Sequence, residues 1–259
     1  MPELPDLEVF SHNLNKKLAK KELKEVTVVN KSKLKVPATQ LKKNLEGATL
    51  KKIYREGKEL HFAFDNNEVL GLHLMLHGKL HLFSKKNDQK NTIIELLFDD
   101  DTGLALSDYQ GAATPTLNPE AKAAPDALSK EVDFDFLKEK LSKKRTNIKT
   151  FLLDQKNIRG IGNAYADEIL WEAGISPLSI CNKIPDNEIK ALAKSIKEVL
   201  EDAENQIKKA QPDIISGEVR DFLKIHNSKK KESPTGAKIH NKMVNSRITY
   251  YTDEQELYE

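Results

Sequence analysis

The stretch DQKNIRGIGNAYADEILW, residues 154–171, predicts the end of one helix, a glycine-bearing turn and the start of a second helix. Gly160 and Gly162 can adopt positive φ and leave room for another backbone to come close. Asn163 is a good N-cap for the second helix. Free N–H groups and the dipole at that helix start suit a phosphate group. These residues alone fit a phosphate-binding turn and an ordinary interhelical turn equally well.

Apolar spacing predicts further helices on both sides of this turn. Helical periodicity covers three more segments: residues 134–141, 148–153 and 188–207. Three basic side chains add positive charge near the turn: Lys149, Lys156 and Arg159. Alternation over residues 237–251 then predicts a small β-hairpin. We therefore expect the C-terminal part to be a helical domain followed by a hairpin.

The N-terminal part predicts one helix and then a β-rich domain. Apolar residues recur at helical spacing over residues 6–18, with Asp6 as the expected N-cap. From about residue 23 to 106 the pattern changes to short alternating runs separated by turn signals, which is typical of a β-sandwich. Residues 111–129 contain three prolines and six alanines without a clear period, and we interpret them as a linker.

The predicted fold class is α+β, with an N-terminal helix and β-sandwich domain, a C-terminal helical domain and a β-hairpin. The sequence contains no internal repeat. The predicted boundaries are residues 1–115 for the sandwich domain, 116–130 for the linker, 131–225 for the helical domain and 226–259 for the hairpin and tail.

Positive charge is concentrated in two separate stretches. The 259-residue chain is 38% apolar and 32% charged, as expected for a globular protein with a heavily charged surface. Its net charge is only +2, but residues 16–58 carry a net +10 and residues 208–247 a net +6. Two basic stretches fit a cleft that holds a polyanion. Either stretch by itself also fits a solvated lysine face.

Cysteine usage and hydropathy exclude several classes of protein. Cys181 is the single cysteine, so no disulfide forms within the chain and no zinc site with two or more cysteines is possible. A lone cysteine fits a reducing compartment. The sequence has neither a signal-peptide pattern nor an apolar run of membrane-spanning length. We expect a soluble intracellular protein, cytoplasmic in a bacterium, without a membrane partner.

The first five residues, Met1-Pro2-Glu3-Leu4-Pro5, carry a candidate nucleophile. Removal of Met1 makes the Pro2 nitrogen a free secondary amine. Such an amine attacks an aldehyde carbon and gives a permanently cationic iminium, which acidifies the neighbouring C–H bond and promotes elimination. Glu3 is a candidate proton donor or acceptor beside it. A frayed, unreactive start is the common alternative for a Met-Pro sequence.

Two sequence blocks together resemble the formamidopyrimidine-DNA glycosylase/endonuclease VIII family. One is MPELPD at residues 1–6, and the other is RGIGNAYADEIL at 159–170 with AGISP following at 173–177. The second block is similar to that family's helix–two-turn–helix motif, and the likeness covers nearly the whole chain in the family's order. It implies a base-excision-repair DNA glycosylase with abasic-site lyase activity. Such an enzyme needs no cofactor and acts as a monomer on damaged double-stranded DNA.

The resemblance also assigns roles to particular residues. The family's N-terminal proline attacks C1′ of a damaged nucleotide and the next glutamate assists proton transfer, which implies these catalytic roles for Pro2 and Glu3. A hairpin lysine that contacts phosphate near the lesion matches Lys58. Matching positions imply four DNA-binding residues: Lys149, Asn163, Arg247 and Leu76. The first three match phosphate-binding residues, and Leu76 matches the side chain that fills the gap left by a flipped base.

The matching hairpin departs from the family pattern, because it contains none of the four cysteines that usually hold zinc. The resemblance therefore implies a zincless finger with no metal site. We expect its own side chains to hold it, with Ile239, Ile248 and Tyr250 as the candidates.

Base recognition also departs from the family. The second gap-filling loop has Gln110 and Ala112 where the family has arginine and phenylalanine, and Tyr109 is the candidate replacement. Residues 211–221 do not match the glycine-rich loop that covers an oxidised purine in some members. We therefore make no assumption about 8-oxoguanine or about the opposite base.

Two other functions remain open from the sequence. Altered gap-filling residues fit an abasic-site lyase with little glycosylase activity. The helical motif alone also resembles one in a small ribosomal subunit protein, so a non-catalytic protein that binds damaged DNA is possible. Pro2 distinguishes these hypotheses, since only a catalyst needs a free proline amine.

Overall fold

The computed structural model describes residues 1–259 and divides them into two compact units. The first comprises Met1–Ala121 and Ile207–Glu218, and the second comprises Lys122–Gln206 and Val219–Glu259. The domain boundaries at 115, 130 and 225 stay a prediction. None of the helices combines the length and hydrophobicity that a membrane crossing requires.

Helix α1 (Leu4–Leu18) begins at a capping box that includes the candidate catalytic Glu3. The Glu3 N–H donates to Asp6 Oδ2 at 2.8 Å, and the Glu3 carboxylate accepts from the Asp6 backbone. The prediction of Asp6 as N-cap is therefore wrong. Asp6 is the third residue of the helix, the position from which an acidic side chain reaches back to the cap backbone.

The first unit contains two four-stranded antiparallel sheets. Its strands in chain order are β1 (Leu23–Val28), β2 (Leu50–Glu56), β3 (Glu59–Phe64), β4 (Val69–His73), β5 (Lys79–Ser84), β6 (Thr92–Phe98), β7 (Thr102–Ser107) and β8 (Thr114–Leu117). One sheet has the order β1-β6-β7-β5 and the other β2-β3-β4-β8. Core side chains come from α1 and from both sheets, for example Phe10, Leu60 and Leu104. The predicted helix and sandwich are confirmed.

Two elements of the first unit differ from the sequence prediction. Helix α2 (Ala38–Leu45) interrupts the region read as entirely β, because Leu41 and Leu45 lie one turn apart and both are buried. Strand β8 occupies part of the stretch read as a linker. Pro115 is tolerated there because β8 is an edge strand, where a missing N–H does not interrupt the sheet.

The second unit contains the helices and the hairpin. Its elements are α3 (Phe134–Ser142), α4 (Ile148–Leu153), α5 (Asn163–Glu172), α6 (Asp186–Ala210), β9 (Ile239–Val244) and β10 (Arg247–Thr252), with α6 passing into the first unit at Ile207. Strands β9 and β10 join through Asn245 and Ser246, whose φ angles are 48° and 60°. Positive φ at both positions is the type I′ turn that matches strand twist. The predicted helices and hairpin are confirmed.

Cys181 is buried at the start of a short 3₁₀ turn, Cys181–Lys183. Burial raises the pKa of its thiol to about 11. The thiolate is the reactive form, so we expect iodoacetamide to alkylate the folded protein about 100-fold more slowly than the unfolded protein near pH 8. Mass spectrometry of the adduct with and without guanidinium measures this ratio. Equal rates would contradict the burial.

Candidate functional site

The chain start is fixed to the first unit. Pro2 and Glu3 are buried directly before α1, with Glu3 only 5% exposed. The Met1 ammonium forms an ion pair with the Glu218 carboxylate, 217 positions further along the chain. While Met1 is present, the Pro2 nitrogen is an amide and carries no nucleophilic lone pair.

Hydrogen bonds hold the segment that ends at Glu218 against the rest of the first unit. Asn13 on α1 donates from Nδ2 to the carbonyl oxygens of Pro212 and Ile214, each at 2.8 Å. The Leu80 N–H donates to Ser216 Oγ at 3.0 Å. These bonds place an acidic side chain beside the terminal amine, which the sequence prediction missed because nothing local marks it.

Lys58 lies in the tight turn between β2 and β3, beside Gly57 with φ 60°. The neighbouring Arg55 holds this turn to α1. Its Nε donates to Glu8 Oε2 at 2.7 Å, and its Nη1 donates to the Gly57 carbonyl at 3.1 Å. The turn that carries Lys58 is thereby fixed to the helix that Pro2 and Glu3 precede. The three predicted catalytic residues thus belong to one connected part of the first unit.

Large apolar side chains project from two loops of the first unit. Leu76 is 58% exposed and Met75 38% exposed on the loop after β4, and Tyr109 is 65% exposed on the loop after β7. The rings of His77 and Tyr109 lie in contact, with centroids 4.6 Å apart. Such exposed groups are informative because they have no role in the core. The structure therefore brings the predicted gap-filling Leu76 loop and the Tyr109 loop together.

Asp108 fixes the loop that carries Tyr109. Its Oδ1 accepts from the Gln110 N–H at 2.9 Å, and its Oδ2 accepts from the N–H groups of Ala112 and Ala113 at 2.8 Å each. Asp108 was not predicted from the sequence. An aspartate preceding a turn that ends in glycine was the available signal, since such carboxylates bond the backbone two residues on.

The glycine turn of the second unit differs in detail from the prediction. Gly160 has φ 104°, as expected, but Gly162 has an extended φ of −121° and is itself the N-cap of α5. Asn163 is the first helical residue, so its predicted N-cap role is wrong. Its Nδ2 donates to the Ile248 carbonyl at 2.9 Å, and its Oδ1 is buried without a hydrogen-bond partner.

A fully buried carboxylate, Asp167, lies at the centre of the second unit's polar network. Lys149 Nζ forms an ion pair with Asp167 Oδ1 at 2.7 Å. Asp167 Oδ2 contacts His226 Nδ1 at 2.6 Å and accepts from the Tyr250 N–H at 3.0 Å. Lys149 also donates to Thr249 Oγ1 at 2.7 Å. Because Lys149 is 0% exposed, its ammonium does not reach the surface.

Glu168, the next residue on α5, places His226 within this network. Its carboxylate accepts from three consecutive backbone N–H groups, those of Lys224, Ile225 and His226, at 2.7 to 2.9 Å. Burial raises the pKa of Glu168, while these three hydrogen bonds act in the opposite direction. Adjacent acidic residues on one helix thus hold two distant segments, and neither residue was predicted from the sequence.

Arg247 is exposed directly after the hairpin turn. The next residue, Ile248, accepts at its carbonyl from Asn163 Nδ2 and, at 3.4 Å, from Lys149 Nζ. These bonds fix strand β10 to α4 and α5. A shallow cleft of about 230 Å³ between α4 and the hairpin includes Arg247 and Asn245 in its lining.

The hairpin is held differently from the prediction. Ile239 is buried, but Ile248 is 50% exposed and therefore does not hold the finger. Tyr250 is half-buried, and its ring packs edge-on against the His226 ring with the two centroids 4.9 Å apart. The additional buried side chains are Val244, Thr249 and Thr252.

Hydrogen bonds close the base of the hairpin, where the sequence has no cysteines. Glu254 Oε2 accepts from the hydroxyl groups of Thr235 at 2.8 Å, Thr252 at 3.2 Å and Ser233 at 3.3 Å. The Thr235 hydrogen bond is the main cause that lowers the pKa of Glu254. No group of three or more His, Cys, Asp or Glu side chains is placed to hold a metal ion.

Comparison with known proteins gives consistent similarities over both units. Two family models match: "Formamidopyrimidine-DNA glycosylase N-terminal domain" over residues 1–114 and "Formamidopyrimidine-DNA glycosylase H2TH domain" over residues 123–213. The formamidopyrimidine-DNA glycosylase of Wolbachia pipientis wMel is 34% identical over 213 residues, which are 78% of each chain. That of Bacillus subtilis (strain 168) is 33% identical over 215 residues, again 78% of each.

The fold is also similar to a solved complex. The structure of Lactococcus lactis Fpg with an abasic-site-containing DNA has a TM-score of 0.87 and 27% identity, and the likeness covers 97% of this chain and 98% of that one.

Proposed function

Because this chain belongs to the formamidopyrimidine-DNA glycosylase family, we propose which of its residues carry out each step of a base-excision-repair DNA glycosylase with abasic-site lyase activity. Its partner is damaged double-stranded DNA. Pro2 is the nucleophile, Glu3 transfers protons at the sugar, and Lys58 binds the phosphate beside the lesion. That the enzyme acts as a monomer remains a prediction from the sequence.

One observation carries this proposal: the chain start is buried and anchored instead of frayed. Pro2 and Glu3 are enclosed, and a carboxylate from a distant segment contacts the terminal amine. Termini are usually poorly ordered unless something ties them down. An enclosed start supports a chemical role for the Pro2 nitrogen once Met1 is removed.

The reaction follows from amine chemistry at C1′. The Pro2 lone pair forms a bond to C1′ as the glycosidic bond breaks, and the bonding electrons leave with the base. The nitrogen then loses its N–H proton, and its lone pair forms the C=N bond as the C1′–O4′ bond breaks and O4′ gains a proton. The resulting iminium withdraws electrons, so a proton at C2′ is lost and the C3′–O bond breaks by β-elimination, with the bonding electrons leaving on the 3′ phosphate. The position of Glu3 directly after Pro2, at the N-cap of α1, supports a role in these proton transfers. Lys58, on a turn fixed to α1, holds the adjacent phosphate.

A flipped nucleotide leaves a gap in the duplex, and exposed apolar groups of the first unit fit it. Leu76 enters the gap, with Met75 beside it, and Tyr109 stacks on a neighbouring base. Base–aromatic stacking contributes about 1–3 kcal/mol per base. The contact between His77 and Tyr109 supports a single wedge built from both loops.

In the second unit, Arg247 and Asn163 bind the phosphates. Arg247 is exposed at the hairpin turn, and Asn163 is the first residue of α5, the end of the helix where the dipole favours an anion. A direct phosphate contact by Lys149 stays a sequence prediction. Its complete burial favours a positioning role instead, through Asp167 and strand β10.

Arg247→Ala should weaken binding to damaged and undamaged duplex alike, because a phosphate contact carries no sequence information. The slope of log K against log salt should become shallower by about 0.9, the value expected for one lost phosphate contact. Fluorescence anisotropy over a salt series measures both effects. Lys143→Ala removes one charge from an exposed pair with Glu139 and serves as the control. An unchanged slope for Arg247→Ala would exclude the phosphate role.

The strongest competing function is an abasic-site lyase with little glycosylase activity. Gln110 and Ala112 stand where the family has its arginine and phenylalanine, and this difference favours it. Incubating Met1-free protein with duplexes that carry different damaged bases separates the two functions. A lyase alone will cleave only the abasic duplex, whereas a glycosylase will also release at least one damaged base.

A further inference from the structure

The ion pair between the Met1 ammonium and the Glu218 carboxylate joins two segments of the first unit that lie far apart in the sequence. Glu218 closes a segment that Asn13 and Leu80 hold by hydrogen bonds, and its carboxylate binds the Met1 ammonium. The side chains of Met1 and Glu218 are 30% and 35% exposed, so the site is partly open to an incoming substrate. An exposed ion pair contributes little to stability. Its position at the candidate nucleophile therefore suggests a chemical use.

The same carboxylate can reach the amine that Met1 removal creates. Three backbone bonds separate the Met1 nitrogen from the Pro2 nitrogen, so the two lie within about 3.6 Å of each other. A glutamate side chain spans such a shift by rotating its own χ angles.

The nearby acids are engaged elsewhere. The Glu3 carboxylate accepts the Asp6 N–H, and the Asp6 carboxylate accepts the Glu3 N–H, which together close the capping box of α1. Asp213, on the same segment as Glu218, lies 3.8 Å from Lys17 and is 90% exposed. Glu218 is the acid that contacts the terminal amine.

We propose that Glu218 is a catalytic acid–base residue that removes the proton from the Pro2 ammonium and returns it when water leaves. This inference rests on the proposed function, because it takes Pro2 as the nucleophile. A protonated amine has no lone pair and cannot attack. Glu3 keeps the separate proposed role of proton transfer at the sugar.

The proton and electron balance is complete for an abasic aldehyde. Glu218 takes one N–H proton, and the freed lone pair forms the N–C1′ bond as the carbonyl π pair moves to oxygen. The second N–H proton passes to that oxygen. The proton on Glu218 then converts the hydroxyl to water, which leaves as the nitrogen lone pair forms the C=N bond. One water is released, and the positive charge stays on the iminium.

The test uses Met1-free protein under single-turnover conditions, with enzyme in saturating excess over abasic duplex and borohydride to trap the iminium. Glu218→Ala should slow trapping by roughly 100-fold, within the usual range for one acid–base group. Glu218→Gln, which keeps the shape without the charge, should slow it comparably. Asp213→Asn is the matched control and should trap at the wild-type rate.

Acetate distinguishes a chemical role from a structural one. Added acetate should restore much of the rate to Glu218→Ala in a saturable manner and should not accelerate the wild type, because only a missing carboxylate can be replaced. Wild-type rates in both Glu218 variants would overturn the inference and leave the proposed function intact. A loss without acetate rescue would also overturn it, since a supporting side chain would produce that result. If wild-type protein itself forms no adduct, the proposed function fails as well.

Discussion

Protein that begins at Pro2 will form a borohydride-stable adduct with abasic duplex DNA, and protein that retains Met1 will form essentially none. The nitrogen of Pro2 is a secondary amine in the first case and an amide in the second. An amide has no available lone pair, so the covalent route through an amine nucleophile is closed. We expect a difference of about 10³-fold or more in trapping rate, a barrier change of about 4 kcal/mol. Mass spectrometry of the sample establishes which N-terminus is present.

Pro2→Gly provides the second comparison. A terminal glycine keeps a nucleophilic amine, but its adduct can lose a proton to become a neutral imine, which withdraws electrons less strongly. Trapping and strand cleavage should therefore fall sharply without vanishing. DNA binding in the absence of borohydride should stay close to wild type in the Pro2→Gly protein and in protein that retains Met1, because Lys58, Asn163 and Arg247 are unchanged in both. If both forms trap as well as wild type, the nucleophile is another amine.

Asp167→Ala will destabilise the second unit by about 3–5 kcal/mol, the loss typical when one partner of a buried ion pair is removed. The substitution leaves the Lys149 ammonium enclosed without its counter-charge. It also removes the acceptor for the Tyr250 N–H and the partner of His226 Nδ1. Each buried group left without a hydrogen-bond partner lowers the free energy of unfolding further.

Chemical denaturation followed by tryptophan fluorescence measures this change. Trp171 is the only tryptophan and lies on α5, so its signal reports the second unit. Lys143→Ala, which breaks an exposed ion pair, should change the free energy of unfolding by about 0.5 kcal/mol or less. A loss below about 1 kcal/mol for Asp167→Ala would contradict the structural importance of the network.

A double substitution separates charge from packing at this site. Lys149→Met in the Asp167→Ala background removes the ammonium that has lost its Asp167 partner while keeping much of its volume. It should recover part of the lost stability, because an apolar group is favourable in place of a buried charge that has lost its carboxylate partner. Since the network holds β10, Asp167→Ala should also weaken DNA binding through Arg247, although Arg247 itself is intact.

Local patterns predicted most of the regular structure because their information lies within a few residues. Alternation predicted the strands of the sandwich, and apolar spacing predicted α3 to α6. Where two readings compete locally, the prediction failed: Pro115 suggested a linker, yet it lies in an edge strand. Asp6 failed as an N-cap for a related reason. An acidic residue near a helix start fits either the N-cap or the third helical position, and the backbone conformation at Glu3 decides between them.

By itself the sequence determined the chemistry this protein has available: a secondary amine after methionine removal, a glycine turn ahead of a helix, and a hairpin without cysteines. Only the tertiary structure decided which charges face water and which face each other. Lys149 looks like a surface lysine until Asp167 and strand β10 enclose it. Glu218 has no distinguishing pattern until the fold places it at the terminal amine. The physical reason is that a charge takes its role from its partner and its solvent, and the path of the whole chain sets both.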